Sequence, residues 1–178
     1  IKIMVNLIYI FWMYVILFAV IGAMRGWAKE LLVSFSVILA LALNYLLRKY
    51  IPMIVNLPAT EPSLFWIRTW ITVALVYFGY QTVASVAHLA GKARKEKLQD
   101  ALFGAVMGAV NGYLVVGTLW AYLDEARYPF PGIFYTPPAD IAAGMARMMT
   151  WMPPYSLGEP GIYFAVIISF IFIIVVYI

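Results

Sequence analysis

Apolar residues occupy this chain in long runs, and polar residues are confined to short breaks between them. A run spans a bilayer when it supplies about 20 residues at about 1.5 Å rise each, against a hydrocarbon core of roughly 30 Å. Five runs meet or approach that length: 3–23, 31–47, 66–90, 101–123, and one that starts near Ile162. Each is predicted helical, because lipid offers no partner for backbone amides and no run has the dyad alternation of a membrane barrel. The expected fold is all-α, a polytopic transmembrane helical bundle. It has a four-helix core over 1–123, a proline-rich extracytoplasmic loop over 124–161 and a fifth, C-terminal membrane helix over 162–178.

The breaks differ in character. "MRGWAKE", 24–30, carries Arg25, Lys29 and Glu30 around Gly26, a turn residue. "GKARKEKLQD", 91–100, carries Lys92, Arg94, Lys95 and Lys97. These two breaks are short and densely basic, while the other side holds Lys2, Arg48, Lys49, Arg68, Arg127 and Arg147 over a much longer length. Positive charge in short loops marks the cytoplasmic side, so the N-terminus is expected outside. Tyr45, Tyr50, Trp66, Trp70, Trp120 and Tyr122 are then expected near the outer headgroups. In the last loop Ile141, Met145, Met148 and Met152 recur at helical spacing, either lying flat on the outer interface or capping the bundle.

Composition agrees: 65% of the 178 residues are hydrophobic and 11% charged, against about a quarter charged in a soluble domain. The surrounding solvent is lipid. The net charge of +4 is explained by topology and anionic lipid rather than by nucleic acid. Without cysteine there are no disulfides and no thiolate sites. The chain opens on Ile1 and closes on Ile178, both apolar, and is expected to be part of a longer protein.

The most informative stretch is "DALFGAVMGAVNGYLVVG", 100–117, where Gly104, Gly108 and Gly112 recur every four residues. On a helix they form one smooth strip, and close backbone approach is what joins helices inside lipid. The partner is expected to be the first or second helix. Asn111, beside the strip, is expected to bond across to another helix. Arg25, Lys29, Lys92, Arg94, Lys95 and Lys97 are read as cytoplasmic anchors, the alternative for the first pair being a docking surface. His88, the only histidine, can build neither a triad nor a multi-residue metal site. It is read as a hydrogen-bonded interfacial residue, the alternative being a ligand to a tetrapyrrole pigment. No Asp, Glu, Lys or Arg is expected deep in a spanning run, which argues against ion-coupled transport. No metal site, cofactor or enzymatic activity is expected.

The order of these features resembles the CvpA family, bacterial inner-membrane proteins named for colicin V production. The resemblance rests on Arg25, Gly26 and Glu30, and on Asp100, Gly104, Gly108 and Gly112, within about 5–123. It implies a four-helix core, no cofactor, and a role in export or envelope maintenance. Tyr9 stands where many members have an acidic residue, Asn111 where members often have Arg or Lys, and the fifth segment extends beyond the usual core. The reading is a non-catalytic accessory or scaffold subunit of the bacterial cytoplasmic membrane, in contact with other membrane subunits or with itself. The alternatives are a small transporter or channel component, and a pigment-associated subunit of a photosynthetic or respiratory complex.

Overall fold

The computed structural model describes residues 6–86, 97–130 and 138–177, and every regular element among them is helical. In chain order these are α1 (Leu7–Arg25), α2 (Trp27–Tyr50), α3 (Pro52–Val55), α4 (Pro62–Val86), α5 (Lys97–Glu125), α6 (Ala139–Met149), α7 (Pro153–Ser156) and α8 (Gly161–Tyr177). His88, Lys92, Arg94 and Lys95 lie outside the described residues. Three of the helices, α1, α2 and α5, are long and apolar enough to cross a membrane; α8 is apolar but shorter. α4 matches them in length, but Arg68, Gln81 and its threonines dilute its apolar character.

Local chemistry sets the boundaries. Asn6 starts α1, its side-chain oxygen accepting the Ile8 N–H at 3.0 Å. Gly26 ends α1 and starts α2 as a single residue with φ of 86°, a conformation that a side chain would strain. The seven-residue break expected from the charges is therefore a one-residue turn. Trp27, Lys29 and Glu30 belong to the first turn of α2 rather than to a loop. Pro62 opens α4, where the missing N–H would have had no partner.

α2 and α5 form the centre and run parallel, with Val33 and Val37 packed on Leu114 and Val115. α4 and α8 flank α2 in the opposite direction. Gly79 of α4 sits against Ser36 and Val33, and Ile162 of α8 against Leu41 and Ala42. α1 lies along α5, not along its sequence neighbour α2. The contact is a seam of glycines. A Cβ on Gly108 would lie 2.9 Å from the Gly22 Cα and collide with the Phe18 carbonyl oxygen. On Gly112 it would lie 3.0 Å from the Val15 Cα, and on Gly104 3.0 Å from the Gly22 carbonyl carbon. Backbone meets backbone along two turns of each helix.

The end of the bundle away from the Gly26 turn is closed by α6 and α7. Met149 and Met152 are buried with Phe11, Trp120 and Ala121, and Met145 and Met148 pack against the same cluster. Gly117 makes room for them: a Cβ there would be 2.9 Å from the Met152 sulfur and from Pro153. Of the two expectations for this segment, the fold takes the cap. Trp120 and Tyr122 depart from the interfacial belt expected of them. Both are buried, Trp120 beneath α1 and the cap and Tyr122, on the other side of α5, against Phe65 of α4. Tyr50, Trp66 and Trp70 remain exposed at that end.

Gly108→Ala should lower the stability of the purified protein in mild detergent by about 2 kcal/mol or more, since neither colliding group can move away. Gly161→Ala, whose new methyl meets nothing within 4 Å, should change it by less than about 0.5 kcal/mol. Comparing the two melting curves checks the seam.

Candidate functional site

The turn at Gly26 places two charged groups at one end of the bundle. Glu30, in the first turn of α2, faces α5 and is 0% exposed. Its Oε1 lies 3.4 Å from Arg25 Nη1. Asn111 of α5 donates through Nδ2 to Glu30 Oε2 at 2.8 Å and to the Glu30 carbonyl at 2.9 Å. Ser34, one turn further along α2, donates to Asn111 Oδ1 at 2.6 Å. The Arg25 guanidinium rests 4.2 Å above the Tyr80 ring of α4. Four helices thus meet around one carboxylate. A buried ion of this kind persists only where a counter-charge and hydrogen bonds replace its water.

Just beyond, Asp100 of α5 accepts the Trp27 N–H at 3.3 Å, a carboxylate at the positive end of α2. Gly26 is the only residue type that fits beneath it: a Cβ there would lie 2.6 Å from Asp100 Oδ2. Arg25, Gly26 and Glu30 on one side and Asp100, Gly104, Gly108 and Gly112 on the other therefore form one constellation.

A second polar cluster sits at the opposite end of the bundle. Arg68 of α4 is 8% exposed, pairs with Glu125 of α5 and stacks 3.7 Å above the Tyr122 ring. Arg48 of α2 reaches the same Glu125 oxygen at 3.3 Å. Asn44 donates to Thr72 Oγ1 at 3.2 Å. Nearby, Glu159 accepts from Lys49 at 2.7 Å and from the Tyr45 hydroxyl at 2.7 Å. The Lys49 ammonium, then the Tyr45 hydroxyl, holds the Glu159 carboxyl below its ordinary range. Among the described residues no group of His, Cys, Asp and Glu could hold a metal ion.

This geometry joins the two patches that carry the family resemblance, and the comparison with family models agrees. A model described as Colicin V production protein matches residues 8–133, more than half of the chain. This chain belongs to the colicin V production protein family. With its apolar helices, that makes it a membrane protein. No curated protein and no solved structure gives a significant match to it.

In this colicin V production family member the sequence-predicted residues fall as follows. Gly104, Gly108 and Gly112 line the α1 seam, and Asn111 bonds to α2. Arg25 and Lys29 do not share a helix face, since the Gly26 turn divides them. Arg25 points inward to Glu30 and Tyr80. Lys97, opening α5, is exposed. The pigment reading rested on His88, outside the described residues. Sequence reasoning missed three things: Gly22 as the mate of the strip, the burial of Glu30, and the Arg68–Glu125 pair. Gly22 was visible as the one small residue in register with Val15 and Phe18. Arg68 was visible as a cation set inside an apolar run after Pro62.

Asn111→Leu strips Glu30 of its amide donor and should cost about 3 kcal/mol in detergent unfolding. Adding Glu30→Leu should recover part of that loss, because an apolar pair leaves no buried charge and Arg25 can turn to the headgroups. A second measurement uses pH. The Lys49–Glu159 contact is fully present above the ordinary carboxylate value of 4.5 and fades as pH falls through the lowered folded value. The melting difference between wild type and Lys49→Ala should therefore vanish on acidification below that window.

Proposed function

We propose that this chain is a non-catalytic packing subunit of a bacterial cytoplasmic-membrane assembly that serves export. Its family is described by colicin V production, and the process is read here as one that needs a rigid helical partner rather than a carrier. The N-terminus lies outside, and the ends bearing Arg25, Glu30 and Lys97 face the cytoplasm, in keeping with the basic break that precedes α5.

One observation carries this reading. The two polar clusters sit at opposite ends of the bundle, and the layer between them holds no charged side chain among the described residues, a buried polar group there being the Thr118 hydroxyl. Ser34 and Asn44 are ten positions apart on α2, about 15 Å at the helical rise. Val37, Ala40 and Leu41 fill that interval, with Leu114 and Val115 of α5 beside them. Among the described residues, a solute or proton crossing one copy would meet no charged side chain at mid-depth, where carriers place theirs. The glycine seam, which leaves no room for rearrangement of α1 on α5, also suits a fixed scaffold. The broad apolar faces of α1 and α8, with Trp12, Ile16, Val20, Phe164, Ile168 and Val175 exposed, are surface for lipid or neighbouring subunits.

Two experiments test it together. Proteoliposomes of the purified chain should show no proton or solute flux above empty vesicles. In colicin V-secreting cells that lack their own family member, the chain should restore secretion, and Gly108→Ala should not, while still inserting. Flux that Asn111→Leu abolishes would replace the scaffold with a carrier.

A further inference from the structure

The outer polar cluster does more than hold helices together. Between α2, α4, α5 and the α7–α8 segment it encloses a half-open cavity of about 300 Å³, lined by Asn44, Arg48, Lys49, Arg68, Tyr122 and Glu125 among others. Its charges do not balance. Lys49 is answered by Glu159, which leaves two guanidiniums, Arg48 and Arg68, sharing one oxygen of Glu125. Two polar atoms on well-buried residues of this lining have no hydrogen-bond partner: the Arg68 Nε–H, a donor, and the Asn44 Oδ1, an acceptor. Asn44 is 2% exposed. A buried donor and a buried acceptor left unmatched are both costly.

We propose that this cavity binds a phosphate group that also carries a hydroxyl, the chemistry of a phosphoglycerol headgroup. The phosphate oxygens accept from Arg48 and from the Arg68 Nε–H, and guanidiniums match phosphate geometry better than ammonium groups do. The hydroxyl donates to Asn44 Oδ1. The site's depth fits a lipid source: the cavity lies at the end of the bundle where Tyr50, Trp66 and Trp70 are exposed, the level at which amphipathic rings meet headgroups. A free glycerol phosphate offers the same groups from the aqueous side. Glu125 holds the arginines in place and competes with the ligand for them.

This inference goes beyond the scaffold reading and survives its failure. The test is native mass spectrometry of the full chain in neutral detergent, titrated separately with phosphatidylglycerol, phosphatidylcholine and free glycerol phosphate. One phosphatidylglycerol should be retained per chain, in preference to phosphatidylcholine. Arg48→Gln, on the cavity rim, should weaken retention about tenfold, the scale of one charge-assisted hydrogen bond. Lys97→Gln, at the opposite end, should leave it unchanged. Glu125→Gln should strengthen retention by removing the competing carboxylate, whereas a purely structural Glu125 would make that variant bind no better. Competition by free glycerol phosphate identifies a soluble source, and retention of the lipid alone identifies the bilayer. Equal retention of both lipids with no binding of glycerol phosphate overturns the proposal, as does an Arg48→Gln variant that elutes normally and binds like wild type.

Discussion

The fold depends on how near α1 comes to α5. Inside lipid nothing expels apolar surface from a solvent, so two helices stay together only through packing and polar contacts. Gly22 against Gly104 and Gly108 lets the backbones touch, and Phe18 and Val15 close over Gly108 and Gly112. That approach fixes the height of α1 on α5. It therefore fixes where the C-terminal turn of α1 ends and where Arg25 emerges. The guanidinium lands over Tyr80 and beside Glu30 because the seam sets it there. A bulkier residue in the seam would displace the counter-charge of a fully buried carboxylate, so steric and electrostatic consequences arrive together.

Both ends of the bundle solve the same problem in the same way. Each places a carboxylate against arginine, and lays that arginine on a tyrosine ring: Arg25 on Tyr80, Arg68 on Tyr122. Guanidinium is weakly hydrated and planar, so it tolerates such sites where lysine would need water. The ends differ in shape. The cluster at the Gly26 turn is bridged by Asn111 and Ser34, with Glu30 Oε1 and the Tyr80 hydroxyl left without a hydrogen bond, while the cluster around Arg68 borders a cavity.

Helical character, the positions of the runs and the glycine strip were legible in the sequence, because hydropathy and four-residue spacing are properties of single segments. What lay outside that reach was pairwise. A strip at Gly104, Gly108 and Gly112 says that a neighbour comes close without saying which one, and Gly22 becomes its mate only once α1 is set antiparallel to α5. In the sequence alone charge marks a membrane boundary, which puts Glu30 in a loop. A positive φ at Gly26 lets the chain reverse in one residue and start α2 four positions earlier, which carries Glu30 inside. Residue type alone puts Trp120 and Tyr122 at an interface. Their burial is decided by the cap and by Arg68, which come from distant parts of the chain. The methionines of α6 fitted either an interface or a cap, and only the presence of Phe11 and Trp120 beneath them separates the two.

The one-residue turn also explains why two motif patches, some seventy positions apart, belong to a single structural device. Gly26 must adopt a positive φ, and it must also be bare, because the Asp100 carboxylate occupies the space where a side chain would project. Asp100 in turn occupies that space because the first N–H of α2 points there with no intrahelical acceptor. From Asp100, successive turns of α5 present Gly104, Gly108 and Gly112 to α1, and Asn111, one position before the last glycine, is directed to Glu30 on α2. A single helix thus reads both neighbours at once, with small residues for the one that must come close and an amide for the one that brings a charge. Loss of either face would leave α1 and α2 joined by a turn with nothing to set the angle between them.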